Sequence, residues 1–582
     1  MKQFRKMSMI FVFVLSVILT GCQNNQQPSV PSEDFDAFVE KDFIDSMEDS
    51  YMLAHMRMEH PENYGVDMSK VKVTLGDVEV TDKERQEFLE TKKEFEQFDR
   101  ESLSASQQDV YDFMQYIIDY NDELIKDDYR YFNQCFSTIY GIQNDIPDTF
   151  TNITLRNEQD VKDVIILMED VSPYVDKALD YTKKQAKAGY LMIDFDSVEK
   201  ECKKIVDLGT KSSVLKVVNQ HIEELKLSKE KTESYKKQLK EAFEKSYLPA
   251  FKKILSELKT LKSSQNNELG LAHLKNGKKY YELLFKARLG TNRSVEDMKK
   301  LLEEYAQDAM TSFQMAYYQN PDSYAKIQSA STGYKDYESM LVDLKEDIKD
   351  HFPELGDIDY TIQNLDEDLT NSSISAYFLI PPIDSNEPRQ MFVNSSSVNK
   401  DIGSIHTFTT VAHEGIPGHM YHNYQTIQNI ETPWLKTQSV LGFGEGYATY
   451  VEQLSLDYLK GKIDSNVLEL YKYNEMYSNC IVALVDIGIH YEGWSKEETM
   501  QYLTEKGFSS SMALYNQIQN NPCAFIPYYA GYVEVMELRK KAEKGLGSQF
   551  KEKEFHQALL GSGIVPFSIA ERHIDEYISK NK

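Results

Sequence analysis

Cysteine is scarce in this chain, with five in 582 residues, at positions 22, 135, 202, 480 and 523. Cys135, Cys202, Cys480 and Cys523 are far apart and match no zinc-finger or dithiol redox spacing, so they are read as buried thiols. Export would permit disulfides, but no pairing follows from spacing alone. Positive charge is also short: 65 Lys and Arg stand against 93 Asp and Glu, a net charge of -28. So anionic a surface repels phosphate backbones and anionic lipid headgroups, which excludes nucleic acid as a partner and leaves no basic face for a membrane. Long apolar runs are missing after the first twenty or so residues, so no later segment is expected to cross a bilayer. There is no internal repeat of solenoid length. A chain of this length is ample for a large core, although composition does not fix a domain count.

The N-terminus carries what the rest lacks. Lys2, Arg5 and Lys6 precede an apolar core from Met9 to Leu19, which closes on Leu19-Thr20-Gly21-Cys22. This is the layout of a secretory signal, and its last four residues resemble the bacterial lipobox, whose cysteine receives a diacylglycerol and becomes the first residue after cleavage. Residues 1–21 are therefore expected to be a lipoprotein signal peptide and Cys22 a lipid anchor. At roughly 0.8 kcal/mol per buried methylene, two acyl chains hold a protein on the extracytoplasmic face of a bacterial membrane without spanning it. An ordinary secretory peptide or a single N-terminal span are the alternatives. Residues 22–33 are polar, with prolines, and read as a flexible tether. The body starts near Asp34.

From there to about Asp350 apolar residues recur at helical spacing among many Lys and Glu. In the run 228–261, Tyr235, Leu239, Phe243, Tyr247, Phe251 and Leu255 form one stripe at intervals of four, with Pro249 expected to kink or break the rod. Its charged side reads as a solvated face, with a partner-binding coiled coil as the alternative. The texture changes between Ser373 and Ser397, where residues 376–380 and 390–394 are short β-type runs separated by Pro381, Pro382 and Pro388. They predict a small hairpin or sheet edge, either structural or able to hold an extended peptide through its main chain. Helical pattern returns over residues 406–430, 443–459, 467–488, 495–505, 528–544 and 551–560, and Ser495 with Glu498 forms a capping box. The expected fold is mostly α, a large helical body with a small β element. It has a helical part over 34–365 and a second part over 366–582, the two forming one continuous domain.

The chemistry concentrates at His413-Glu414-Gly415-Ile416-Pro417-Gly418-His419 and at Gly444-Glu445-Gly446-Tyr447. In the common zinc motif two histidines four apart share a helical face, and the glutamate after the first reaches the water at the metal. Here the histidines are six apart. At about 100° per residue they lie roughly 120° out of line on a regular helix, so the helix must deform between them. Pro417 has no amide hydrogen for the carbonyl of His413, and Gly418 tolerates unusual dihedrals, so a local bulge is expected to turn His419 back toward His413. Zinc still needs a third donor, and Glu445 supplies it, leaving one position open for water. Glu452, seven residues on and on about the same face, would orient a ligand or compete for the role. His422 and His406 are rival ligands. One zinc ion per chain is expected at His413, His419 and Glu445, with Glu414 placed to take a proton from water.

These residues resemble the signature pair of the bacterial domain-of-unknown-function family numbered 885, whose members look like zinc peptidases related to thimet oligopeptidase and carboxypeptidase Taq. Asp486, Gly488, His490, Gly493 and Trp494 resemble a further block. Pro522, Tyr528, Gly531 and Arg539 resemble a later one, and Phe555-His556, Leu560, Gly563 and Pro566 the closing segment. The sequence departs from the pattern at Tyr447, where a tryptophan is usual, at Met420 in place of a histidine, and at Cys523-Ala524 in place of Gly-Gln. The resemblance covers about residues 35–580 and implies a helical peptidase with a deep channel.

It also implies Tyr528 as the donor that stabilises the oxyanion of peptide hydrolysis, with His490 and His556 as alternatives. Arg539 would hold a substrate carboxylate through its planar fork, unless it forms a structural salt bridge; His556 and Asn394 complete the expected substrate contacts. The reading is a membrane-anchored zinc metallopeptidase acting on short peptides. The competing readings are a lipoprotein that only binds peptide and a zinc amidase acting on cell-wall peptides. The sequence leaves the oligomeric state open.

Overall fold

A computed structural model describes residues 32–365, 375–395 and 401–582; the expected signal peptide and Cys22 lie outside the described residues. The fold is mostly helical, with one small three-stranded sheet. No helix among the described residues is long and apolar enough to cross a membrane. Cys135, Cys202, Cys480 and Cys523 are buried, as expected.

The chain divides into two units. The first runs to Glu268 and takes in Pro382–Ser385; the second comprises Leu269–Pro381 and Asn386–Lys582. The division falls well before the boundary expected at 366. Helices Gly277–Leu289 and Val295–Gln319 pack against the late helices Ile526–Leu546 and Ser465–Ile487, so residues from the helical half belong to the same body as the metal motif.

The first unit is built on a 31-residue helix, Glu158–Ala188, capped by the Asn157 side chain and ended by Gly189 at φ 81. Pro173 lies inside it and has no N–H to give the carbonyl of Glu169. The Ser246 hydroxyl donates to that carbonyl at 2.7 Å and accepts the Ser172 N–H at 2.9 Å, so a neighbouring helix repairs the gap. Ser246 sits in a wide π-type turn, Phe243–Tyr247, between Lys229–Ala242 and Leu248–Leu261. Strict four-residue spacing drifts about 40° per step on an α-helix, and a wider turn absorbs part of that drift. Leu239, Phe243, Tyr247 and Phe251 are accordingly fully buried, after which burial moves to Ile254 and Leu258. Pro249 does not break the rod; it lies just after the wide turn, at the start of the second segment.

In the second unit the sheet has the order β1-β3-β2: β1 (Tyr360–Asn364), β2 (Ala376–Leu379) and β3 (Arg389–Val393). β2 and β3 pair antiparallel, as the two β-type runs predict, and β1 joins β3 in parallel. β1 was not legible as a strand, because its sequence YTIQN is mostly polar and mostly solvent-facing. The expected capping box at Ser495 is present.

Candidate metal centre

Three helices of the second unit carry the motif residues. Ile405–Glu414 ends with His413 and Glu414, His419–Asn429 begins with His419, and Leu441–Ser455 holds Glu445 in its first turns. The segment between the histidines is a break between two helices and not a bulge within one. The Ile416–Pro417 peptide is cis, and Gly415 and Gly418 take non-helical dihedrals. A Cβ on Gly418 would lie 1.8 Å from the carbonyl oxygen of His413, so the chain can double back there only with glycine. The Tyr447 hydroxyl donates to the Pro417 carbonyl at 2.8 Å and ties the break to the glutamate helix.

That helix crosses Ile526–Leu546 closely. A Cβ at Gly446 would lie 2.3 Å from the backbone of Gly531, and one at Gly531 would lie 2.3 Å from the carbonyl of Gly442. The contact brings Tyr528 to the site: its half-exposed ring lies 6.1 Å from that of His413, with planes 16° apart.

The structure brings His413, His419 and Glu445 together, with one donor atom from each lying within 4.8 Å of the others. Glu445 Oε2 is 3.4 Å from Nε2 of His413 and 3.3 Å from Nε2 of His419. This oxygen is buried yet has no hydrogen-bond partner, although a buried carboxylate normally has one. Zinc bonds of about 2.0–2.1 Å in tetrahedral array set their donors about 3.3–3.4 Å apart. Two imidazole nitrogens and an orphaned carboxylate oxygen at those separations fit a zinc ion. His406 and His422 are not part of the cluster. His422 is buried against Tyr447 and Phe443, and burial, with the charge of His419, pushes its pKa down to about 3.

Around the donors, His413 Nδ1 lies 3.2 Å from Glu452 Oε2, the histidine–carboxylate pairing that fixes the tautomer of a metal ligand. Burial alone would lower the pKa of His413, but the carboxylates of Glu445, Glu452 and Glu414 around the ring outweigh it and raise it well above the usual value. For Glu445 burial pulls upward, and the two imidazoles more than offset it, holding the carboxyl well below the ordinary range. Glu414 is buried, and its Oε2 accepts the backbone N–H of Phe378 at 2.9 Å. Phe378 lies on β2, an edge of the sheet, so the strand the sequence placed beside the motif orients the expected base. Sequence reasoning missed this contact, because a main-chain amide has no residue-type signature. It also missed Glu475, whose carboxyl is pushed up to about 7 by burial and by the charge of Glu452.

The remaining expected site residues are engaged elsewhere. His490 is fully buried; its Nδ1 accepts the Leu271 N–H at 3.2 Å, and its Nε2 lies 3.0 Å from the Ile518 carbonyl. His556 is fully buried and stacked on Phe352, with its nitrogens 2.6 Å from the His351 carbonyl and 2.8 Å from the Tyr450 hydroxyl. With both ring nitrogens engaged, neither is placed as an oxyanion donor. Arg539 takes the salt-bridge alternative, pairing with Glu552 at 2.7 Å and Glu543 at 2.8 Å and donating to Tyr450. Asn394 is fully buried at the end of β3, its backbone N–H bonded to the Ser375 carbonyl.

These features define a mostly helical protein whose second unit holds a cluster of two histidines and one glutamate suited to a metal. Residues 64–574 match the family described as "Bacterial protein of unknown function (DUF885)", and the chain belongs to that family. No curated protein matches it. Among solved structures, a candidate lipoprotein from Colwellia psychrerythraea is similar at 16% identity and TM-score 0.79, over 94% of this chain and 99% of that one. A candidate lipoprotein of unknown function from Shewanella oneidensis is similar at 14% identity and TM-score 0.60, over 84% and 91%. At these identities the likeness shows the fold. A candidate oligoendopeptidase F from Bacillus anthracis, at TM-score 0.34 and 12% identity over 87% and 96%, is too distant to argue from.

Proposed function

We propose that this protein is a zinc-dependent peptidase that hydrolyses short peptides, held on the extracytoplasmic face of a bacterial membrane by lipid at Cys22. The observation that carries the reading is Glu445 Oε2, buried without a hydrogen bond and 3.3–3.4 Å from two imidazole nitrogens. A zinc ion held there would supply Lewis acidity toward a scissile carbonyl and would lower the pKa of water.

The chain's own groups do the rest. His413, His419 and Glu445 would hold the ion, and Glu452 would fix the orientation of the His413 ring. Glu414, with one carboxylate oxygen anchored by the Phe378 amide, keeps the other for the proton of the attacking water and passes it to the leaving amine. Tyr528 lies on the His413 side of the site and donates to the developing oxyanion. β2 offers main-chain groups to an extended peptide beside Glu414. The anchor reading rests on the lipobox-like Leu19-Thr20-Gly21-Cys22 and agrees with the description of two structural neighbours as candidate lipoproteins.

The test is metal analysis and turnover of a mixed peptide library, with cut sites read by mass spectrometry. One zinc per chain is expected. Glu414→Gln should keep the metal and lose about 10²–10⁴-fold in turnover, and equal turnover by that variant removes the base. Bound zinc with no cleavage of any peptide would favour the peptide-binding reading. Cleavage only of cell-wall peptides would favour the amidase.

A further inference from the structure

One stretch of the second unit's surface carries a group of exposed aromatic side chains. From Ala309 to Pro321 thirteen consecutive residues carry no charge, in a chain with a net charge of -28. They form the end of helix Val295–Gln319 and lead into the short helix Pro321–Lys326. Large apolar and aromatic side chains stand out from them: Met315 is 61% exposed, Tyr318 80%, Tyr324 50% and Tyr317 39%. Phe313 holds the group together, stacked on Tyr317 at 6.4 Å and edge-on to Tyr324 at 5.8 Å. Tyr317 and Tyr324 also meet edge-on at 6.1 Å. Exposed large side chains usually occur singly, whereas a contiguous, ordered group marks a contact surface.

We infer that this patch seats the body on the bilayer that holds its anchor, with Met315, Tyr317, Tyr318 and Tyr324 entering the headgroup region. The inference rests on the anchor reading and adds a second point of attachment to it. Two facts favour a lipid surface. Only ten residue steps separate Cys22 from the first described residue, Ser32, which at full extension span at most about 36 Å. The start of the first unit is therefore held within that reach of the membrane, and the second unit follows it in the same chain. An acidic surface is repelled least by anionic headgroups where it carries no charge, and here a charge-free stretch carries tyrosine, phenylalanine and methionine. Tyrosine in particular suits that depth, with an apolar ring and a hydroxyl that stays hydrated. Asp308, Asp322 and Lys326 flank the group in sequence, and Lys326 lies near Asp464, the cap of the helix packed against it.

The test uses the full acylated chain in phosphatidylcholine vesicles. The four cysteines of the body are buried, so a cysteine introduced by Tyr318→Cys takes an environment-sensitive fluorophore selectively; Ser579→Cys, exposed on helix Phe567–Lys580, is the control. The expected result is a blue shift and loss of most of the fluorescence at 318 when the vesicles carry nitroxide lipid, with little change at 579. Met315→Ser/Tyr324→Ser should abolish the difference. Equal quenching at both positions, or none at 318, overturns the inference, as does dimer formation through the patch or saturable binding of isolated cell-wall glycan that the same substitutions remove. The mass of the N-terminal peptide reads acylation of Cys22 separately, so failure of the anchor and failure of the patch are told apart. A chain found without acyl groups is scored by the same quenching comparison on added vesicles.

Discussion

Two glutamates meet His413 on opposite ring nitrogens, and their roles differ. Glu445 faces Nε2 and the proposed metal position, whereas Glu452 faces Nδ1 at 3.2 Å. Glu452→Gln keeps an acceptor for the Nδ1 proton but removes the charge that makes the imidazole a better donor. Zinc affinity is expected to fall about 10–100-fold, measured by competition with a chromogenic chelator, with the fold intact by circular dichroism. Unchanged affinity would leave Glu452 as a bystander.

At this scale the sequence was most legible where chemistry sits in adjacent side chains. His413, Glu414 and His419 are read from one heptapeptide, and Glu445 from its glycine-flanked position. His490, His556 and Arg539 were chosen by resemblance, and the structure commits each to an internal network. Both histidines are neutral in the fold, with burial pushing each pKa down to about 4. Their folded pKa lies below the unfolded value of about 6.5, so each contributes stability above pH 6.5 that is lost as pH falls toward 4, at up to about 1.4 kcal/mol per pH unit. His490→Gln is expected to lower stability at pH 8 and to flatten the acid limb of a urea midpoint-versus-pH curve; an unchanged slope would mean that His490 does not titrate in this way.

Elements were legible wherever an apolar stripe ran at helical period, and less so where tertiary structure substitutes for local rules. Pro173 inside a 31-residue helix looks like a breaker in any local reading; the donor that replaces its missing amide is Ser246, 73 positions away in sequence. Ser246→Ala removes that donor and leaves a partly buried carbonyl without it, which is expected to cost about 1 kcal/mol, read as a lower urea midpoint. No loss would mean that water satisfies Glu169 instead. The crossing at Gly446 and Gly531 is a stricter case. Any side chain there must push two helices apart, and one helix carries Glu445 while the other carries Tyr528. The six-residue spacing of the histidines told that the helix must deform, but not that it would end and restart, because the glycine constraint at residue 418 comes from a backbone contact with His413 that appears only once the chain has doubled back.

At the scale of the whole molecule, the helical class was legible from periodicity, and the division into units was not. The unit boundary depends on which apolar faces meet, and Val295–Gln319 gives no local sign that its partner is Ser465–Ile487, some 150 residues later. A zinc ion held as proposed would add a bond between segments that are otherwise joined by packing. A ligand that binds only the folded chain stabilises it by RT ln(1 + [L]/Kd), about 4 kcal/mol at a thousandfold excess over Kd, so zinc removal should lower the Tm of the second unit. Protons oppose this. In the metal-free site His413 has its pKa raised above 6.5 by Glu445 and Glu452. That group therefore stabilises the metal-free fold fully below pH 6.5, and the contribution fades as pH rises through the raised value. Zinc must displace the same proton in order to bind. The Tm gap between zinc-loaded and chelated protein is thus expected to be wide at pH 8 and to narrow toward pH 6, measured by calorimetry with and without chelator. A gap that is absent at pH 8, or that widens in acid, would remove His413 from the set of ligands.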